Sequence, residues 1–147
     1  MLLKSRTVFA TFDGAAARAF LYDRANKRLS PLPGFPMEGD RKPEFDDKRP
    51  RSFQSVGAGR SAIEPQTDPE KQLERQFVCD VAARLEKLRA SKAFDRLIVS
   101  AGPRALGYWR EAAPKDLAAT VKTELAADHV RTDDAALVSV VEDAFFG

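Results

Sequence analysis

The sequence predicts an α/β domain built on a mixed five-stranded sheet with helices on its faces. Three observations predict it. Leu97-Ile98-Val99 is a continuous apolar run ended by Ser100-Ala101-Gly102, the pattern of a strand covered on both faces, and it marks the central strand of the sheet. Thr7 to Phe12 and Ala17 to Tyr22 are two runs of strand-forming residues separated by the turn signal Asp13-Gly14, so an antiparallel hairpin opens the chain. Asp68 to Arg89 repeats apolar residues at helical spacing over a length that can cover a sheet face.

The elements follow in order. The first strand is Thr7 to Phe12. The second, Ala17 to Tyr22, puts Ala17, Ala19 and Leu21 on one face and Arg18, Phe20 and Tyr22 on the other. Asp23 to Lys27 turns the chain into a third strand, Arg28 to Leu32, whose Pro31 places it at an edge because proline cannot donate to the ladder. Pro33 to Thr67 holds five prolines and few aliphatics, and is expected to be a long loop, mobile at its centre. Asp68 then caps the long helix, with Pro69 at its first position and Glu70 complementing its positive end. Its stripe is Leu73, Phe77, Val81, Leu85 and Leu88, with Val78 and Ala82 beside it, and the stripe is expected to share one core with Leu97 to Val99. After the central strand, Pro103 opens a short helix carrying Leu106, Tyr108 and Trp109, and Pro114 starts another helical turn. Thr120 to Leu125 alternates as a fifth strand, and Thr132 caps a last helix with the apolar face Leu137, Val138, Val141 and Phe145. The order β-β-β-α-β-α-β-α is that of the ribonuclease-H-like fold, a meander followed by two parallel strands joined through helical crossovers.

Composition limits the chemistry. The 147 residues are expected to form a single domain, with 24 Lys+Arg against 22 Asp+Glu. A net charge of +2 does not by itself argue for nucleic acid, so any basic face is local. One cysteine, Cys79, and one histidine, His129, exclude a disulfide and any Cys- or His-rich metal site. Cys79 is expected to be a small buried hydrophobe, and His129 to be structural. No signal-peptide pattern and no run long enough to span a bilayer is present, so a cytoplasmic protein without membrane insertion is expected.

Residues 13–18 (DGAAAR), the pair Gly59-Arg60 before the long helix, and above all 94–111 (FDRLIVSAGPRALGYWRE) resemble the bacterial host attachment protein family. The Ala-small-Pro-Arg-x-Leu-Gly pattern after the central strand is matched by residues 101–107. The family is named for a role in attachment to host cells and is in turn similar to the middle domain of archaeal and eukaryotic peptide-chain release factors. That domain carries a Gly-Gly-Gln loop between meander and long helix, where this chain has Gly57-Ala58-Gly59-Arg60-Ser61 without the glutamine. The resemblance therefore implies ribosome or RNA association, or protein partners in attachment. It does not carry over release-factor-type hydrolysis.

The candidate site lies where the central strand meets the next helix. Ser100, the Gly102 backbone and Arg104 are arranged to hold an anion, because free N–H groups at a helix start favour negative charge. Arg104 in the first turn opposes the helix dipole, so it requires an anion or a carboxylate partner, Asp13 or Asp128. Arg49, Arg51 and Arg60 in the long loop, interleaved with Phe45 and Phe53, are the RNA-contact candidates. Asp13 is read as a turn residue and only weakly as a metal ligand, since two-metal chemistry needs further carboxylates and the turn after the central strand has none. A triad spelled from Ser100, His129 and Asp13 lacks the Gly-x-Ser-x-Gly elbow. The expected protein is a binding module with no cofactor and no catalytic residue, a hydrolase acting on RNA or peptidyl-tRNA being the alternative.

Overall fold

The computed structural model describes residues 6–39 and 68–146, with side chains to residue 144. The candidates Arg49, Arg51 and Arg60 and most of the long loop lie outside the described residues, as does the side chain of Phe145. The strands are β1 (Thr7–Phe12), β2 (Ala16–Asp23), β3 (Arg28–Pro31), β4 (Met37–Glu38), β5 (Arg96–Ala101) and β6 (Val121–Leu125). The helices are α1 (Pro69–Ala90), α2 (Pro103–Ala112), α3 (Lys115–Ala118) and α4 (Asp134–Phe146).

These strands form a mixed sheet of six, in the order β3-β2-β1-β5-β6, with β4 also paired to β2. The sequence led to five strands. The sixth, β4, is two residues long, too short to leave a periodic signal, and it pairs with Ala16 and Ala17. β1 runs antiparallel to β2 and parallel to β5, and β5 runs parallel to β6. The middle of the row is therefore β1, every residue of which is buried, and the apolar run of β5 lies beside it. β3 ends the row with Pro31, as an edge strand should.

Strand alternation divides the core. Val8, Ala10, Phe12, Ala17, Ala19, Leu97, Val99 and Ala101 point to one face, where Phe77, Val81 and Leu85 of α1 and Leu106 and Trp109 of α2 cover them. Phe9, Phe20, Tyr22 and Ile98 point to the other, where Leu137, Val141 and Ala144 of α4 cover them. Two expectations are corrected here. Ile98 does not share a core with its neighbours Leu97 and Val99, because successive strand residues alternate. Leu73 is not part of the buried stripe but 45% exposed. It sits one residue from Glu74, which lies against the turn beyond β1, so this part of α1 is level with the strand ends and burial begins at Phe77.

Two smaller corrections and one new feature concern local chemistry. Thr132 does not cap α4; Asp133 does, its carboxylate accepting the Ala136 N–H at 2.8 Å and its carbonyl the Leu137 N–H at 2.9 Å. Cys79 is half-buried rather than fully buried. At the other end of α1, Lys92 takes a left-handed φ of 69°. There the Ala93 N–H reaches the Leu88 carbonyl at 3.0 Å and the Lys92 N–H the Arg89 carbonyl at 2.9 Å, a Schellman ending without glycine.

Candidate functional site

The carboxyl ends of β1 and β5 are side by side because the two strands are parallel, with Phe12 opposite Ala101. Each is followed by a turn that shapes a cleft. After β1, the Asp13 Oδ1 accepts the N–H groups of Ala15 at 2.8 Å and Ala16 at 2.7 Å, which makes Asp13 the turn residue the sequence suggests. After β5, Gly102 stands at the N-cap of α2 without a side chain to satisfy the first N–H groups, and Pro103 takes the first helical position. A β-carbon at Gly102 would meet nothing within 4 Å, so the helix start faces open space.

The cleft between these turns has a volume of about 310 Å³ and is lined by Asp13, Glu74, Arg104, Tyr108 and Asp128 with the backbone of Gly14 and Gly102. Arg104 finds its carboxylate on α1: Nη1 donates to Glu74 Oε1 at 2.7 Å. That hydrogen bond is the main cause holding the Arg104 guanidinium above its ordinary value. The partner is thus Glu74 rather than Asp13 or Asp128. Gly14 makes room for it, since a β-carbon there would fall 2.5 Å from Glu74 Cγ. Arg75 stacks over Tyr108, 5.3 Å from the ring centroid, and pairs with Glu111 at 3.5 Å on the flank.

Gly102 and Arg104 thus line the cleft together, but Ser100 does not join them. Its side chain is buried, and its hydroxyl donates to the Ala127 carbonyl at 2.6 Å. An anion entering here meets the helix N-terminus and one guanidinium already held by Glu74, with Asp13 and Asp128 also on the wall. The balance of charge is acidic, which disfavours phosphate. No group of three or more His, Cys, Asp or Glu side chains among the described residues is placed to hold a metal ion. Ser100, His129 and Asp13 are not assembled as a triad either. The His129 Nδ1 lies 3.1 Å from Thr132 Oγ1, while Ser100 and Asp13 serve backbone groups.

Sequence reasoning missed a second set of partly buried polar contacts that pin the connection between β6 and α4. Thr11 is buried within β1, and its hydroxyl oxygen accepts the His129 N–H at 3.1 Å. The Arg18 guanidinium donates to the carbonyls of Val130 at 3.1 Å and Thr132 at 2.7 Å and to the Asp134 carboxylate at 2.7 Å. The only available signal was an arginine in a strand position facing an otherwise apolar side. Its partners lie more than a hundred residues away.

Fold and site together define a mixed α/β domain with an acid-lined cleft at the carboxyl edge of its parallel strands. The chain belongs to the family described as "Protein required for attachment to host cells", which it matches over residues 8–141. No curated protein matches it.

Proposed function

We propose that this member of the host attachment family is a cytoplasmic, non-catalytic binding module that associates with RNA or the ribosome. The observation that carries the reading is the state of the polar groups at the carboxyl edge. Asp13 holds a turn, Ser100 bonds a backbone carbonyl, His129 faces Thr132, and Arg104 is paired with Glu74. Groups committed in this way supply structure rather than a poised nucleophile or base. The strand order, a meander joined to two parallel strands through helices, supports a ribonuclease-H-like scaffold. The resemblance of that scaffold to the release-factor middle domain is what supports RNA as the partner. Absence of the glutamine in 57–61 argues against hydrolysis.

Co-sedimentation with ribosomes at low and high salt tests the reading: the protein is expected in the pellet at low salt and in the supernatant at high salt. A protein that stays in the supernatant at both is an attachment factor acting through protein partners. One observation favours a second reading, that of a hydrolase: Asp13, Glu74 and Asp128 line one cleft, although they are not grouped closely enough to hold a metal as they stand. Cleavage of RNA or peptidyl-tRNA in the presence of magnesium, lost in Asp13→Asn, would replace the binding module with that enzyme.

A further inference from the structure

We infer that the amino edge of the sheet, opposite the acid-lined cleft, is a surface for the phosphodiester backbone of single-stranded RNA. The inference rests on the RNA reading just given and adds the place and manner of contact. At this edge Arg6, Arg24, Arg28, Lys92, Arg96 and Lys122 are all exposed. The pairing register brings them into a row. Arg28 of β3 stands opposite Asp23, next to Arg24; Tyr22 of β2 stands opposite Thr7, next to Arg6; Thr7 stands opposite Arg96; and Leu97 stands opposite Val121, next to Lys122. Strands lie about 4.8 Å apart, so five of them spread this row over about 19 Å.

Asp23 and Asp95 stand among these cations and keep their charge, and Glu142 of α4 pairs with Lys27 at 3.8 Å. The cations of the row therefore outweigh the acids without being free of them. The Asp23 carboxylate takes the Asn26 side chain at 2.8 Å, which lowers its pKa, and Asp95 takes the Arg6 backbone N–H at 2.9 Å. The Arg6 guanidinium donates to the Lys92 carbonyl at 2.9 Å, which fixes it beside Lys92 without neutralising either charge. Two bland accounts cover only part of the row. Compensation of a helix C-terminus explains Lys92, just past α1, but sheets carry little net dipole. Protection of sheet edges explains Arg28 on β3 and Lys122 on β6, but not Arg6, Arg24 and Arg96 at inner strands.

The partner follows from the charge and the line of the row. Among the described residues the one exposed large hydrophobic side chain is Leu73, on the first half of α1 near the opposite edge. The described part of this edge therefore shows no apolar wedge for a bilayer and no exposed ring on which bases can stack. A line of cations without either suits a linear chain of phosphates, bound with little sequence preference and strong dependence on salt.

Fluorescence anisotropy with a labelled oligouridylate tests this on the full chain. If four phosphates are contacted, affinity falls about 50-fold between about 50 and 200 mM salt. Arg28→Glu with Arg96→Glu is expected to abolish half or more of that salt slope. Arg28→Gln with Arg96→Gln, checked by circular dichroism, does the same should charge reversal disturb folding. Lys71→Glu with Arg131→Glu, an equal change of charge at the other end of the molecule, is expected to leave the slope intact. If neither oligouridylate nor ribosomes bind the parent protein, the RNA reading itself fails. If the parent binds and the Arg28/Arg96 variants bind equally well, RNA contacts lie elsewhere and this inference is overturned. Binding to phosphatidylserine vesicles in place of oligouridylate also overturns it.

Discussion

Among the described residues, one face of the sheet is covered by α1, α2 and α3, and the other by α4. The first buries twenty residues in one cluster, including Phe12, Phe77, Leu85, Leu97, Trp109 and Leu117. Among the described side chains the second buries seven, and three of those come from one short stretch of α4. The smaller face is supplemented by polar pins. Arg18, Thr11 and Ser100 all hold the segment that leads into α4, through backbone groups of Ala127, His129, Val130 and Thr132. The difference is one of mechanism. The large face is secured mostly by apolar area, with Arg104–Glu74 and Arg84 to the Gly34 carbonyl at its rim, whereas on the small face directional bonds help to place a single helix. Apolar burial is spread over many side chains, but a guanidinium with three acceptors concentrates its contribution in one residue.

The largest expected effect comes from the large face. Trp109 is 1% exposed and packs on Phe12 with ring centroids 5.7 Å apart. Trp109→Ala is expected to cost about 3–5 kcal/mol and to lower the denaturation midpoint of the whole domain in one transition. Loss of less than about 1 kcal/mol, or a separate early transition, would break the claim that this face is the common support.

Leu137, fully buried at the start of the small cluster, gives the contrasting case. Leu137→Ala is expected to cost about 2–4 kcal/mol. Its effect should be regional, with hydrogen exchange accelerating in α4 while α1 keeps its protection. Uniform acceleration in both helices would show that the two faces open together and differ only in size.

Arg18 tests the polar pins directly. Its side chain is 21% exposed and bonds three acceptors around the start of α4. Arg18→Ala is expected to cost about 1–3 kcal/mol, because the two carbonyls lose a charged donor while part of the site remains open to water. Exchange should rise first over residues 129–134. No change there would reassign Arg18 to the surface, where ion pairs contribute little.

Legibility in the sequence follows the same division. The large face was readable because it is built from local periodicities. The alternation in Ala17, Ala19 and Leu21 against Phe20 and Tyr22 gave the correct sides of β2, and the cap and proline of Asp68-Pro69 gave the start of α1. Periodicity does not say how far a helix runs past the strand ends, and Leu73 was misplaced for that reason. The cleft was readable as a location, since a strand ending in Ser100-Ala101-Gly102 before Pro103 marks a sheet edge. Its wiring was not. Whether Arg104 meets Glu74, thirty residues earlier, or Asp13 depends on the angle at which α1 crosses the sheet. Ser100 looked like a ligand group, yet its partner is a backbone carbonyl twenty-seven residues on, invisible to any pattern of side chains.

The smallest expected effect concerns how the large face ends its main helix, and it has the opposite sign. Lys92 occupies the left-handed position after α1 with φ 69°, and the two hydrogen bonds of the Schellman ending depend on that conformation. A β-carbon makes this region unfavourable by about 1–2 kcal/mol, whereas glycine enters it freely. Glycine also gains freedom in the unfolded chain, which offsets part of the relief. Lys92→Gly is therefore expected to raise stability by about 0.5–1 kcal/mol, seen as a higher urea midpoint at unchanged slope. Leu88 and Ala93, which both pack against the large cluster, should stay in place because the backbone path is the same. The exchange of α4 should not respond at all. A gain that appeared in α4 as well would mean that the two faces are coupled through the sheet. A loss would mean that Lys92 holds its strained backbone for a contact worth more than the strain.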